Sequence, residues 1–258
     1  MPHPTYRPLA SLPARIAPLM LAASLLLAPL ANAAATIELG LCVHVVRGLE
    51  FHKRGVTLSA WISNAQVGEG LLPEVNRIWA DAGIRFRLTS VGDAALANPP
   101  DAADLIAGIL AATRDDDGHS NPERVSMYRR LLDLGAERRD CIDVYLVPYL
   151  GERSQGVAAR RAERVLVTQW SDKGQPSGTP PRRFPLTEAR PFTRGSLGRT
   201  LAHELGHVLG LDHPDRRRQT ELGRLMGGRK PGYRLTPEEI ATARARATAL
   251  AERQRGHG

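Results

Sequence analysis

His203, Glu204, His207 and His213 are the residues of this 258-residue chain whose types and spacing carry chemistry. They share one window, Leu201-Ala202-His203-Glu204-Leu205-Gly206-His207-Val208-Leu209-Gly210-Leu211-Asp212-His213. Residues four apart on a helix share a face, so His203 and His207 can present their imidazoles to a single metal ion. Leu201, Leu205, Val208 and Leu209 supply the apolar side that anchors such a helix in a core. Gly210 comes three positions after the second histidine, where a chain leaving a helix through a left-handed conformation favours glycine. The chain can then fold back and offer His213 as a third ligand, helped by Pro214, which biases the residue before it towards extended backbone. Three neutral imidazoles with an open fourth position describe a catalytic zinc site, whereas closed structural sites usually have four protein ligands, mostly Cys. Zinc lowers the pKa of water from about 15.7 towards roughly 7, and Glu204, beside His203, is placed to accept that proton and later hand it to a leaving amine. These are the ingredients of peptide hydrolysis.

The window from His203 to His213 resembles the extended zinc-binding motif of the metzincin metallopeptidases. Leu225-Met226-Gly227-Gly228 is similar to the methionine-containing turn found beneath the zinc in that family, and Met226 carries the likeness. The resemblance implies an α/β (α+β) fold: a mixed five-stranded twisted sheet with helices behind it, an active-site helix and a small C-terminal subdomain. It also implies a substrate lying extended across the metal and paired with an edge strand, for which Gly151 to Ala159 is the candidate. Leu235-Thr236-Pro237-Glu238-Glu239-Ile240, after a short Met-turn region, looks most like the matrixin or pappalysin-like branches. Two departures stand out. Matrixins hold latency through a propeptide cysteine, and here the first strand begins almost at once after the leader, which makes Cys42 a poor candidate for that switch. Astacins and serralysins place a tyrosine two residues beyond the Met, whereas Tyr233 lies seven beyond Met226. Tyr233 is a candidate for the cleft or the oxyanion, with plain packing as the alternative.

Several elements must position this window. Arg7 and Arg15 precede an apolar run from Ile16 to Leu30 that ends in Ala31-Asn32-Ala33, the order of a secretory signal peptide, so residues 1–33 are expected to be removed. An uncleaved N-terminal anchor is the alternative. The remaining 34–258 is expected to form one catalytic domain, with subdomains 34–213 and 214–258 on either side of a cleft. Ile37, Leu39, Leu41, Val43 and Val45 alternate as a strand does. A helix with Pro73 in its first turn follows, keeps Leu71, Val75, Ile78, Trp79 and Ala82 on one stripe, and ends at Gly83. Ile84, Phe86 and Leu88 then mark a second strand, giving a strand-helix-strand crossover. Residues 92–140 read as an insertion with one helix over Asp101 to Ala112 and another opening at Ser120, Pro122 and Glu123. Ile142 to Tyr149, apolar apart from Asp143, suits a strand buried on both faces, and Arg164 to Gln169 gives another. Residues 171–195 read as a long loop. Thr236, Pro237 and Glu239 open a last helix running towards Glu252, with a frayed end from Arg253.

Composition narrows the function classes. With 42% hydrophobic residues and 24% charged, the chain is neither disordered nor a disulfide scaffold. Without the leader it holds 33 basic against 27 acidic residues, and the arginines are scattered with no recognisable binding module, so nucleic acid is not an expected partner. After leader removal no stretch is suited to span a membrane. Its two cysteines, Cys42 and Cys141, are expected to pair across neighbouring strands in an oxidising compartment, with a metal-ligating or reactive thiol as the alternative. Asp115-Asp116-Asp117-Gly118 could ligate calcium but lacks the spacing and closing Glu of an EF-hand loop, so calcium is unsupported. Three readings stand: a secreted or periplasmic zinc endopeptidase of protein or peptide substrates, a catalytically silent zinc-binding interaction protein of the envelope, or a zinc amidase/peptidase acting on cell-wall peptides. None of them sets an oligomeric state.

Overall fold

The alternating aliphatic residues at the start of the mature chain form strand β1 (Ile37–Val46) in the computed structural model. Its described residues are 35–111, 122–133, 140–152, 154–160, 163–187, 195–214, 223–227 and 232–256. Next in order come a hairpin of β2 (Phe51–Lys53) and β3 (Val56–Leu58), then a helical run made of α1 (Asn64–Gln66), a π-helical turn (Val67–Leu71) and α2 (Leu72–Trp79). β4 (Ile84–Ala94), α3 (Ala102–Ala111), α4 (Pro122–Leu131), β5 (Ile142–Val147), β6 (Gly156–Ala159) and β7 (Arg164–Thr168) follow. The short strands β8 (Trp170–Ser171) and β9 (Arg182–Arg183) lead to the helices α5 (Leu197–Val208) and α6 (Pro237–Arg255). The leader, the Asp115-Asp116-Asp117-Gly118 turn, Ser120 and Gly228 lie outside the described residues.

Five strands form one sheet in the order β4-β1-β5-β7-β6. β1 pairs in parallel with β4 and β5, β5 pairs in parallel with β7, and β6 alone is antiparallel, at the edge beside β7. The fold is therefore mixed α/β with a five-stranded mixed sheet, as expected, and the sheet is mostly parallel. Both faces are covered, which explains the near-continuous apolar runs of its inner strands. On one face Leu41, Val43, Val144, Leu146, Val165 and Val167 pack against the helical run from Val67 to Ala82, α5 and α6. On the other, Tyr145, Val147 and Leu166 meet the hairpin, α3 and α4. Asp143, the one acid of β5, is buried and accepts from His44 Nε2 at 2.9 Å.

Cys42 and Cys141 form a disulfide with their Cα atoms 5.7 Å apart. It links β1 to the residue just before β5, so the pairing read from the sequence is correct. No helix among the described residues is long and apolar enough to cross a membrane.

Several boundaries differ from the sequence reading. The helical run starts at Asn64, where Ser63 and Gln66 form a capping box, and not near Pro73. Proline lacks an N–H and crowds the carbonyl four residues back, and the turn just before it is widened, with Leu72 N–H reaching the Val67 carbonyl. β4 extends to Ala94, past a register shift opposite Leu41 and Cys42. The segment read as a loop from residue 171 contains β9, which pairs with β8, and buries Phe184 in the main core. α6 continues through Arg255 where fraying was expected, because Gln254 is buried and joins Gly40: its Oε1 accepts from the Gly40 N–H at 2.8 Å and its Nε2 donates to the Gly40 carbonyl at 3.4 Å.

Candidate metal centre

Helix α5 carries the first two histidines, and its sequence fixes both of its ends. Ser196 is the N-cap, accepting from the Arg199 N–H at 3.1 Å while its hydroxyl donates to buried Glu74 Oε1 at 3.0 Å. Leu197, Leu201, Leu205 and Val208 are buried in the main core. At the other end Gly210 adopts φ +86°, a left-handed conformation that a side chain disfavours. Gly210 N–H donates to the His207 carbonyl at 3.1 Å and Leu211 N–H to the Gly206 carbonyl at 2.9 Å, which together make a Schellman motif. This turn reverses the chain and delivers His213.

His203, His207 and His213 converge, their nearest ligand atoms all within 4.8 Å of one another. Backbone carbonyls set the orientation of the two helical rings. His203 Nδ1 lies 2.8 Å from the Leu225 carbonyl and His207 Nδ1 lies 2.8 Å from the Leu211 carbonyl. A carbonyl only accepts, so each Nδ1 carries the hydrogen and each neutral ring keeps its Nε2 lone pair. Burial holds the His203 imidazole well below its ordinary pKa, and the neighbouring His207 and Arg199 push in the same direction, so the ring stays neutral. His203 Nε2 and His213 Nε2 are 3.0 Å apart. Two ligands about 2.05 Å from a tetrahedral ion would be about 3.3 Å apart, so the donor set and its spacing fit a zinc-sized cation.

Glu204 is buried on the same helix, and glycines make room around it and behind it. A Cβ added at Gly156, on the edge strand, would lie 2.5 Å from Glu204 Oε1 and 2.6 Å from its Cγ. Only glycine lets β6 lie this close to the carboxylate. Two residues along from Glu204, a Cβ at Gly206 would lie 2.7 Å from Met226 Sδ, so the thioether is seated directly against α5. Met226 is fully buried, and the carbonyl before it, that of Leu225, is the one that holds His203. The turn at Met226 thus backs the histidine group, through the Leu225 carbonyl and through the thioether against α5.

Tyr233 lies with its ring under the Arg77 guanidinium, 4.8 Å from centroid to carbon, and packs against the main core. Cys42 and Cys141 are joined to each other and stand apart from the histidine group as a disulfide. Apart from Met226, sequence reasoning did not find the supporting groups. Arg199 had a signal, since it lies four residues before His203 on the same helical face, and its Nη2 donates to the Leu225 carbonyl at 3.1 Å. Leu211, Leu225 and Arg160 had none, because their contacts are made through the backbone or across distant segments. No protein-family model matches the chain, and no curated protein matches it.

Proposed function

We propose that this chain is a zinc-dependent endopeptidase of the metzincin type, acting outside the cytoplasm. The observation that carries the reading is a buried carboxylate, Glu204, on the helix that bears two of three converging imidazoles, and against an edge strand. His203, His207 and His213 would hold the ion, which when bound would supply Lewis-acid polarisation of a carbonyl and lower the pKa of water. Glu204 takes the proton of the attacking water and returns it to the leaving amine. β6 is the last strand of the sheet among the described residues, the position at which an extended peptide would add, so that backbone hydrogen bonds would give affinity and side-chain pockets selectivity. His213 divides the catalytic domain into its two subdomains, and Tyr233 is the candidate group for the oxyanion. The disulfide and the leader both suit an oxidising, extracytoplasmic address.

The deciding measurement is metal content of the purified protein together with cleavage of casein, with and without a chelator. One zinc per chain and cleavage that a chelator abolishes and zinc restores is the expected result. Zinc without cleavage of casein or peptidoglycan would identify a silent binding protein, and cleavage of peptidoglycan alone would identify a cell-wall enzyme.

Gly156→Ala tests the fit between edge strand and carboxylate. The added methyl must displace Glu204, and a shift of about 1 Å at a catalytic group costs about 10²-fold. The expected result is that loss in kcat with zinc content unchanged. Wild-type kcat in this variant would show that β6 does not constrain Glu204.

A further inference from the structure

The Leu211 carbonyl holds more than one donor. His207 Nδ1–H donates to it at 2.8 Å, and Arg160 Nη2 donates to it at 2.9 Å. The same guanidinium pairs with Asp212 Oδ1 at 2.5 Å. Arg160 Nη2 also lies 3.1 Å from His207 Nδ1. Both are donors, and this approach follows from the acceptor they share. Arg160 immediately follows Ala159, the last residue of β6, so one side chain ties the end of the edge strand to the turn that leads to His213. The arrangement has a counterpart at the other helical histidine. The Leu225 carbonyl accepts from His203 and from Arg199, whose Nε also donates to the Gly232 carbonyl at 3.3 Å. Each histidine of α5 is therefore oriented by a carbonyl that an arginine holds in place.

We propose that Arg160 is a positioning residue of the metal centre: it fixes the Leu211 carbonyl, and through it the ring of His207 and the placement of His213. The inference rests on the reading of the three histidines as a metal site, and it does not depend on the reaction catalysed there. Magnitudes separate this role from plain structural support. The Arg160 side chain is 43% exposed and that of Asp212 77%, and an ion pair this open to solvent contributes little to stability. Groups that orient metal-bound histidines typically change metal affinity by about 10- to 100-fold. Loss of Arg160 should therefore weaken metal binding far more than it weakens the fold.

The test uses the full mature chain and its R160A, R160K and D212A variants. Zinc affinity is read by competition with a chromophoric chelator, the ligand field by the visible spectrum of the cobalt(II)-loaded protein, and folding by the thermal midpoint of the metal-free form. R160A is expected to bind zinc about 10- to 100-fold more weakly with altered cobalt bands and an apo midpoint close to wild type. R160K, which can still donate to Leu211, should recover most of the affinity, and D212A, which leaves the carbonyl contact in place, should stay within about threefold of wild type. Equal zinc affinity and an unchanged cobalt spectrum in R160A would overturn the inference alone. So would a D212A loss as large as that of R160A, which would place the effect in the ion pair. A wild-type chain that takes up neither zinc nor cobalt overturns the metal centre and this inference with it.

Discussion

Glu204→Gln is expected to lower kcat on a denatured protein substrate by about 10²- to 10⁴-fold, the usual contribution of a positioned general base, while zinc remains at one per chain. Glutamine matches glutamate in size and so fits the tight space against Gly156, where a Cβ would come within 2.5 Å of the carboxylate oxygen. It removes only the ability to accept a proton. KM should change little, because the loss falls on an interaction made as the bond breaks. Zinc affinity should also hold, since the three imidazoles are oriented by backbone carbonyls that the substitution leaves alone. A variant as active as wild type would end the peptidase reading, and equal inertness of both proteins would favour a binding role.

Removing the disulfide should cost the fold about 4–5 kcal/mol. Cys42 and Cys141 are 99 residues apart, and closing a loop of about 100 residues is worth about 4.7 kcal/mol on chain-entropy grounds. Total stabilities of about 5–15 kcal/mol mean that this is a large share. The double variant Cys42→Ala/Cys141→Ala, unfolded in urea beside the oxidised wild type, should show a much lower midpoint with a slope similar to or somewhat above wild type. A midpoint unmoved by the substitutions or by reductant would show that the packing of β1 against β5 suffices without the covalent link. Because the bond sits in the middle of the sheet and not near the histidines, metal stoichiometry in whatever fraction stays folded should be unaffected.

The convergence of the three histidines was legible because it is local. His203 and His207 are related by helix geometry alone, and Gly210 announces the exit that brings His213 round. The inner strands were legible for the same reason, each being a short apolar run with its own punctuation. The groups that finish the centre were not. His203 is oriented from 22 residues away by a backbone carbonyl, an atom every residue carries and no pattern marks. Arg160 reaches the Leu211 carbonyl across 51 residues, and one arginine among many gives no sign of its partner. Gly156 was read as part of an edge strand, and its closeness to Glu204 depends on how α5 crosses the sheet. Boundaries failed where tertiary contacts overrode local preference. Gln254 looked like the polar tail of a fading helix, yet its amide meets the backbone of Gly40 inside the fold.

That last contact joins the beginning of the folded chain to its end, since Gly40 and Gln254 are 214 residues apart. A polypeptide made or threaded N-terminus first must hold β1 without this partner until α6 has emerged. Seating of α6 on β1 is thus a late step, one that follows the emergence of all five strands of the sheet. The centre we propose would likewise be finished only once Leu225, whose carbonyl orients His203, has followed the helix that carries the first two histidines.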